Sequence, residues 1–400
     1  MVADADSNVA VQRLDFTFLQ MAAVVCIVTA AFSSQMAMPL WIGAIIDTYG
    51  LSRSVAGAIG GAEMAVVAIV SVAMAVRIHR YSARPAVMIG LACLISGNLG
   101  AAFVQDAPAL AVARILAGCG KGIIVTISHS LAARASHPMR AFAAITAAYA
   151  IFATALFLVM PSVIEAAHAP GCFTLLAALS LVSAIFMPWF PASRMQNTGI
   201  HRVNLNGVQR YGLTAMAALI ITGIGHTAIW TFVERIGLRL ALTPAEVGQV
   251  LSIAAFTSIG GPWLARLTDT RFGYTPPLVT AVSAMIVIGL LLVHSAAQST
   301  YVLLVPAFML LVGFVSPYFL TILSIADPAG RLAAAATAAM TMGGSLGAIV
   351  GGWAADRLDY RGLGWVAASH FFVAIVLLLI TSRLESRSIA VTQALAENRS

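Results

Sequence analysis

Residues 111–130 read AVARILAGCGKGIIVTISHS, an apolar stretch long enough to cross a bilayer that nevertheless contains an arginine and a lysine. Lys121 is the only lysine among the 400 residues. Arg114, Gly118 and Lys121 would share one face of a helix, with the two cations about 10 Å apart along its axis. A lipid-facing helix gains nothing from such charges, so the stretch predicts a membrane helix that faces a polar interior.

The composition places the whole chain in a membrane. Hydrophobic residues make up 60% and charged residues 9% of the sequence, whereas about 25% of the residues of soluble proteins are charged. Twelve apolar windows have the length that a bilayer requires. They lie near 16–46, 54–76, 86–104, 108–132, 141–165, 171–190, 212–236, 244–267, 277–294, 301–326, 333–355 and 364–384. The predicted fold class is an all-α polytopic membrane protein with twelve transmembrane helices.

Several functional classes are disfavoured. The net charge of +7 comes from arginines scattered between the apolar windows, which does not resemble a nucleic-acid-binding patch. Each of the four cysteines stands alone in apolar sequence, as packing residues do. The sequence lacks the His/Glu metal spacing, the Ser/His pair and the paired aspartates expected of an intramembrane enzyme. We therefore expect no cofactor, no metal, no nucleic-acid partner and a monomer in the lipid bilayer.

The arginines predict the topology. The apolar run from Phe16 is too long for a cleaved signal peptide, so it is interpreted as the first span. With the N-terminus inside, the inner loops and termini hold fifteen arginines and the outer loops five. This bias predicts cytoplasmic N- and C-termini in the inner (cytoplasmic) membrane.

The chain also divides into two similar halves. The longest internal polar segment, 192–210, follows the sixth span and is interpreted as a central cytoplasmic loop between six-helix bundles at 1–191 and 211–400. At an offset of 191 residues, LSRSVAG (51–57) aligns with LTPAEVG (242–248), and HRYSARP (79–85) aligns with TRFGYTP (270–276). A duplicated six-helix unit is typical of transporters that bind substrate near the bilayer midplane.

These features together resemble the major facilitator superfamily. Arg114 with Gly118, Gly120 and Gly122 is similar to that family's arginine and glycine pattern in the fourth span. The loop after the second span keeps Arg80 and Arg84 but lacks the family's acidic residue and glycine. The loop after the eighth span is closer to the pattern. It contains Asp269, Arg271 and Gly273. The resemblance implies two helical bundles around a central cavity lined by spans 1, 2, 4, 5, 7, 8, 10 and 11.

The segment GWAADRLDYR (352–361) looks like a third copy of this loop motif. It follows the eleventh span, however, and the predicted topology puts it outside. We interpret it as a short outer loop with a solvated Asp356/Arg357 pair.

Ionisable residues at mid-depth are the main site candidates, because each costs about 2.5–3.5 kcal/mol to insert. Glu63 and Lys121 lie at similar depth, so they could form a structural ion pair, or alternatively couple protons to substrate. Arg114 is a candidate for coupling or for helix packing, as the family resemblance implies.

In the second half, His226 is the mid-depth candidate for substrate or proton binding, with Trp230 on the same helix face. A histidine bonded to a neighbouring helix is the alternative. The secondary cavity candidates are Gln35, Tyr149, Trp230 and Tyr318.

The sequence thus predicts a secondary active transporter of a small organic solute. The sequence contains no GxxxxGK[ST] motif, which a nucleotide-driven pump would need. Protons are therefore the expected driving ion. Two cations against one mid-depth acid favour an organic anion, such as a carboxylate, taken up by symport. The alternative is proton-coupled efflux of drugs or metabolites, which the span 5 sequence AYAIFATALFLVMP (148–161) disfavours because it lacks the glycine pattern of the resembled exporters.

Overall fold

The computed structural model describes residues 14–194, 209–268, 273–327 and 331–397, with side chains throughout except at 334 and 388–397. Its regular secondary structure is helical. The α-helices are α1 (Phe18–Met36), α2 (Met38–Tyr49), α3 (Arg53–Val76), α4 (Ala83–Phe103), α5 (Ala107–Ala133), α6 (Pro138–Ala184), α7 (Arg210–Thr231), α8 (Val233–Arg239), α9 (Pro244–Ser258), α10 (Gly260–Thr268), α11 (Thr275–His294), α12 (Gln298–Ala326), α13 (Arg331–Arg357) and α14 (Asp359–Glu397).

Eleven helical segments in the described ranges are long and apolar enough to cross a membrane. One of them, α6, has 47 residues, which is about 70 Å of helix and twice the thickness of the hydrocarbon core. The backbone of His168 leaves helical geometry inside it, at φ 54° and ψ −150°. Counted as two crossings that meet at this break, α6 reconciles the eleven segments with the twelve predicted windows.

The first predicted span is broken into two helices, α1 and α2. Pro39 lacks a backbone N–H and its ring crowds the preceding turn, and the helix is interrupted at Ala37 between α1 and α2. The carbonyl of Ser34 instead accepts a hydrogen bond from the indole Nε1 of Trp41, at 2.8 Å. Breaks also separate α7 from α8 and α9 from α10 within the predicted spans 7 and 8.

Buried apolar residues in the described chain form three clusters. We call the end of the molecule that holds residues 50–52 and 240–243 the outer end, following the topology predicted from the arginines. One cluster joins residues of α2, α3, α6, α8, α9 and α13 from both halves toward the outer end. The other two lie toward the inner end, one within 23–190 and one within 211–378. The two halves therefore share a core at the outer end and have separate cores at the inner end.

Glycines bring the halves together along α3 and α13. A Cβ on Gly57 would meet the carbonyl of Ala348 and the Cα of Gly352. Farther inward, the Ser345 hydroxyl donates to the carbonyl of Gly61 at 2.7 Å. The seam between α6 and α9 is similar, since a Cβ on Gly248 would meet the carbonyl of Phe157. Spans 2 and 8, and spans 5 and 11, correspond under the sequence repeat, so the two seams are related by it.

Polar contacts also join the two halves at the outer end. We call the set Asp47, Arg53 and Ser54 of the first half with Arg235, Asp356 and Asp359 of the second half the outer clasp. Arg235 donates both terminal nitrogens to Asp47, at 2.8 and 2.6 Å. Arg53 lies 3.4 Å from Asp359. The predicted Asp356/Arg357 pair is wrong within the described residues: Asp356, at the end of α13, makes no ion pair there and accepts from Ser54 of α3 at 2.8 Å.

A bulky residue at Gly57 should keep the outer end open. We expect Gly57→Leu to make a cysteine placed at Ala348 react with a membrane-impermeant maleimide, because leucine cannot fit against the α13 backbone. The same cysteine should stay unreactive in the parent protein, where Ala348 is 0% exposed. Gly100→Leu is the matched control, since a Cβ there meets only Ala113 of its own half, at 3.5 Å. Equal reactivity in the two leucine variants would contradict the glycine seam.

Candidate functional site

The helix α5 contains residues 111–130, with the two cations Arg114 and Lys121. It begins at Ala107, where the Asp106 side chain accepts from the backbone N–H of Ala109 at 2.9 Å, a standard N-cap. Its glycines face two neighbours. A Cβ on Gly118 would lie 2.7 Å from the carbonyl of Glu63 on α3, and one on Gly120 would meet the backbone of α4. The three helices therefore approach closely enough for long polar side chains to meet between them.

Glu63 and Arg114 form a buried ion pair. Nη2 and Nε of Arg114 lie 2.8 and 3.1 Å from Oε2 of Glu63. The Ser34 hydroxyl donates to Oε1 of Glu63 at 2.6 Å, and Nη1 of Arg114 donates to Oδ1 of Asn98 at 2.7 Å. Arg114 is 0% and Glu63 2% exposed. The pair is neutral as a whole, and both charges have hydrogen-bond partners, as buried charges require.

Aromatic rings enclose this pair. The guanidinium carbon of Arg114 lies 5.3 Å from the ring centre of Trp41 and 5.2 Å from that of Phe173, within cation–π range. Trp41 is itself fixed by its bond to the Ser34 carbonyl. We call Ser34, Trp41, Glu63, Asn98, Arg114 and Phe173 the Glu63–Arg114 network. It ties together α1, α2, α3, α4, α5 and α6.

Lys121 lies on the same helix but has different partners. Its Nζ donates to Oε1 of Gln35 at 2.7 Å and lies 5.1 Å from the ring centre of Phe32. The residue is 0% exposed. No carboxylate among the described residues lies within 4.0 Å of its ammonium group. The pairing of Glu63 with Lys121 suggested by their similar depth is therefore wrong as a direct ion pair.

Glu63 lies between the two cations along α5. Gly118, which packs on the Glu63 backbone, lies four residues after Arg114 and three before Lys121. The Glu63 carboxylate contacts Arg114, whose guanidinium also donates to Asn98 of α4, whereas Lys121 contacts Gln35 of α1.

Unpartnered hydroxyls lie on the helices around Lys121. The Tyr149 ring on α6 packs against Phe32, with 4.7 Å between ring centres, and its buried hydroxyl has no hydrogen-bond partner. The hydroxyls of Thr29, one turn before Phe32, and Ser128, two turns after Lys121, are also buried without partners. We call Phe32, Gln35, Lys121 and Tyr149 the Lys121 site. Buried polar atoms are normally satisfied, so these hydroxyls mark places where a ligand could bind.

His226 and Trp230 are brought together in the second half, as their spacing predicts. Their rings stack at 6.4 Å, and Phe308 stacks on the histidine at 5.8 Å. Nε2 of His226 is buried without a hydrogen-bond partner. Trp230 also meets the edge of Phe157 from the first half, at 6.0 Å. This aromatic cluster lies between the halves. A role in substrate or proton binding stays a prediction.

The remaining candidates lie toward the inner end. Tyr318 hydrogen-bonds Thr268 at 2.7 Å, which joins α12 to α10 within the second half. Arg80 is exposed in a short 3-10 turn. Arg84 donates to the carbonyls of Phe190 and Pro188, at 2.7 and 3.1 Å, just beyond α6. Arg84 therefore links the loop after span 2 to the end of span 6. Asp269 and Arg271 lie outside the described residues, whereas Gly273 has φ +69°, a conformation that favours glycine.

The connection between α12 and α13 holds a polar contact that the sequence analysis missed. The Asp327 carboxylate accepts from the Arg331 side chain at 2.7 Å and from the backbone N–H groups of Arg331 and Leu332. These bonds, the Arg331 side chain first, lower the pKa of Asp327 to about 2. The signal was available, because an aspartate just before a helix is a frequent N-terminal cap.

The protein-family model described as "Major Facilitator Superfamily" matches residues 23–336. The chain belongs to the Major Facilitator Superfamily. A search of curated proteins finds no match, so the family assignment comes from this model.

Solved structures of this superfamily share the fold. The nucleoside transporter NupG is similar with a TM-score of 0.72 at 15% identity, over 91% of this chain and 99% of that one. A D-xylose-proton symporter gives 0.73 at 14% identity, over 90% and 97%. A bacterial homologue of the human lysosomal transporter Spinster, inward-facing and occupied, gives 0.73 at 12% identity, over 91% and 96%. The protein is thus a multi-pass membrane protein with a transporter fold and not an enzyme fold.

Proposed function

We propose that the protein is a secondary active transporter that takes up a small organic anion, with a carboxylate as its charged group, in symport with protons. The observation that carries this proposal is the buried ammonium of Lys121, which contacts an amide and an aromatic ring but no carboxylate of the described residues within 4.0 Å. We further propose that substrate binds at the Lys121 site and crosses the membrane by alternating access of two six-helix bundles, 1–191 and 211–400, which the loop 192–210 joins.

The charge balance of the first half supports an anionic substrate. Glu63 and Arg114 cancel each other within hydrogen-bond distance. Lys121 adds one positive charge, and no carboxylate of the described residues lies within 4.0 Å of its ammonium group. A buried charge without a counter-ion costs several kcal/mol, and a bound carboxylate would remove that cost. A neutral solute would not, so the site discriminates by charge.

The surrounding groups suit a carboxylate with an apolar or aromatic body. The ammonium of Lys121 and the unpartnered hydroxyl of Tyr149 can both donate to carboxylate oxygens. Phe32 and Tyr149 offer ring faces beside them. These features favour a small organic acid over an inorganic anion, because an inorganic ion would leave the aromatic surface unused.

Proton coupling is proposed to run along α1 between the two cations of α5. Ser34 bonds Glu63, and its neighbour Gln35 bonds Lys121, so a shift of this turn of α1 alters both contacts. Protonation of Glu63 would weaken its hold on Arg114, while an anion at Lys121 would restore the charge balance. Proton and anion would then favour the same rearranged state.

Uptake into proteoliposomes tests the proposal. Purified protein in metal-free vesicles is given a panel of radiolabelled organic acids, each matched with its neutral amide, under an inward proton gradient. We expect at least one acid to accumulate and its amide not to. Accumulation should collapse when a protonophore dissipates the gradient. Accumulation of amides and acids alike would contradict the anion proposal. Expulsion of substrate against the same gradient would instead favour proton-coupled efflux.

A further inference from the structure

Glu234 is a buried acid that the sites described above do not use. It lies at the start of α8 with its side chain 9% exposed. Its Oε2 lies 3.0 Å from Nε of Arg235, yet this oxygen and this nitrogen both lack hydrogen-bond geometry. Both terminal nitrogens of Arg235 are occupied by Asp47. One guanidinium thus serves two carboxylates, and Glu234 receives the weaker contact.

Among the described residues, Arg235 is the one cation that acts directly on Glu234. The titratable groups that face it are Asp47 from α2, Cys172 from α6, Tyr301 from α12 and Tyr360 from α14, in addition to Arg235 on α8. The Tyr301 hydroxyl donates to the carbonyl of Val233 at 3.0 Å, so its proton is directed elsewhere.

The contact between α2 and α8 is built closely around this acid. A Cβ on Gly43 would lie 2.5 Å from Oε2 of Glu234 and 2.7 Å from Nη2 of Arg235. Gly43 and Asp47 belong to the first half of the chain, and Glu234 and Arg235 to the second. Closure of the outer clasp therefore brings a second carboxylate to Arg235 and covers Glu234 at the same time.

We propose that Glu234 binds a proton when the outer clasp closes, so that protons outside the membrane favour the closed outer end. With the clasp closed, an ionised Glu234 is a buried carboxylate whose counter-ion is engaged by Asp47, and protonation removes this excess negative charge. With the clasp open, Asp47 has left, and Arg235 and water can stabilise the ionised form. The direction follows by linkage: lower pH favours closure and higher pH favours opening.

This inference goes beyond the Lys121 site and does not require that the substrate be an anion. Glu234 would respond to protons through the conformation of the outer end, whether or not a substrate is bound. It rests on the proposed alternating access only in assuming that the clasp opens.

A distance measurement across the outer end tests it without substrate. Spin labels are attached at Gln105→Cys and Ala296→Cys, two exposed positions on opposite halves, after the four native cysteines have been replaced by alanine. Double electron–electron resonance is recorded from pH 5 to 9 in lipid nanodiscs. We expect the ratio of short to long distances to rise by up to about tenfold per pH unit lowered. Glu234→Gln should show short distances at every pH. Glu165→Gln, an exposed acid at the same end, should titrate like the parent protein.

Two results would overturn the proposal: a parent protein whose distances do not respond to pH, or a Glu234→Gln variant that titrates like the parent. If Glu234→Gln does not fold, Asp47→Asn serves instead. It should lose the pH response, because Arg235 is then free to pair with ionised Glu234 in the closed state, and a parent-like titration would again overturn the proposal. Lys121→Met should keep the pH response although it loses transport, so failure of the anion proposal is distinguishable from failure of this one.

Discussion

Lys121→Met is expected to lower the initial rate of anion uptake by at least about 100-fold while leaving the protein as stable as the parent or more stable. The activity is lost because the ammonium group is the charge that attracts the anion, and a buried ion contact commonly contributes about 3 kcal/mol or more. Stability is retained because no carboxylate in the described part of the chain lies within 4.0 Å of the Lys121 ammonium, and methionine fills a similar volume without the cost of a buried charge.

The two measurements must be made on the same preparation. Uptake is measured in proteoliposomes with equal protein content, and unfolding is followed by intrinsic fluorescence in detergent. Leu116→Met is a suitable control, because it places the same side chain on a more exposed face of α5 and should leave both quantities unchanged. Parent-like uptake by Lys121→Met would remove Lys121 from the transport site.

Unlike Lys121→Met, Arg114→Met should lower the free energy of unfolding, by about 3–5 kcal/mol, because it leaves Glu63 buried and unpaired. Glu63→Gln should also destabilise, since it leaves Arg114 without its carboxylate. The double variant, which removes both charges, should recover much of the loss. A cycle of the four proteins then gives the coupling energy of the pair, measured as the difference in free energy of unfolding.

The contrast between the two cations is the informative part of this experiment. If Arg114→Met and Lys121→Met destabilise equally, Lys121 has a charged partner and the assignment of a free ammonium is wrong. If the double variant is as unstable as the sum of the two single variants, the Glu63–Arg114 contact does not stabilise the fold.

Periodic and compositional signals predicted much of this fold. The apolar windows correspond to the helices, and the break at His168 accounts for the one place where two windows form a single continuous element. The stripe of Arg114, Gly118 and Lys121 correctly indicated a helix with an interior polar face. The length of a helix and the residues that share its face are set by neighbouring positions in the sequence, so both can be predicted from the sequence alone.

The partners of the charged residues were less predictable, because depth in the membrane does not define direction. Glu63 lies near the level of Gly118, between the two cations, and the contact with Arg114 is visible only in the structure. Asn98 is a single amide in an apolar helix, and its bond to Arg114 depends on how α4 and α5 pack. The outer clasp joins residues nearly 200 or more positions apart, such as Asp47 with Arg235. Its members lie in short loops and at helix ends, and the local sequence does not show which of them meet.

Equilibrium binding of a transported acid and its neutral amide tests the central claim most directly. The acid that accumulates best in the uptake panel is titrated into the purified parent protein and into Lys121→Met by isothermal titration calorimetry. We expect the parent to bind the acid at least about 100-fold more tightly than the amide, and Lys121→Met to remove this preference. Equal binding of acid and amide to the parent, or an unchanged preference in Lys121→Met, would contradict the assignment of Lys121 as the anion-binding residue.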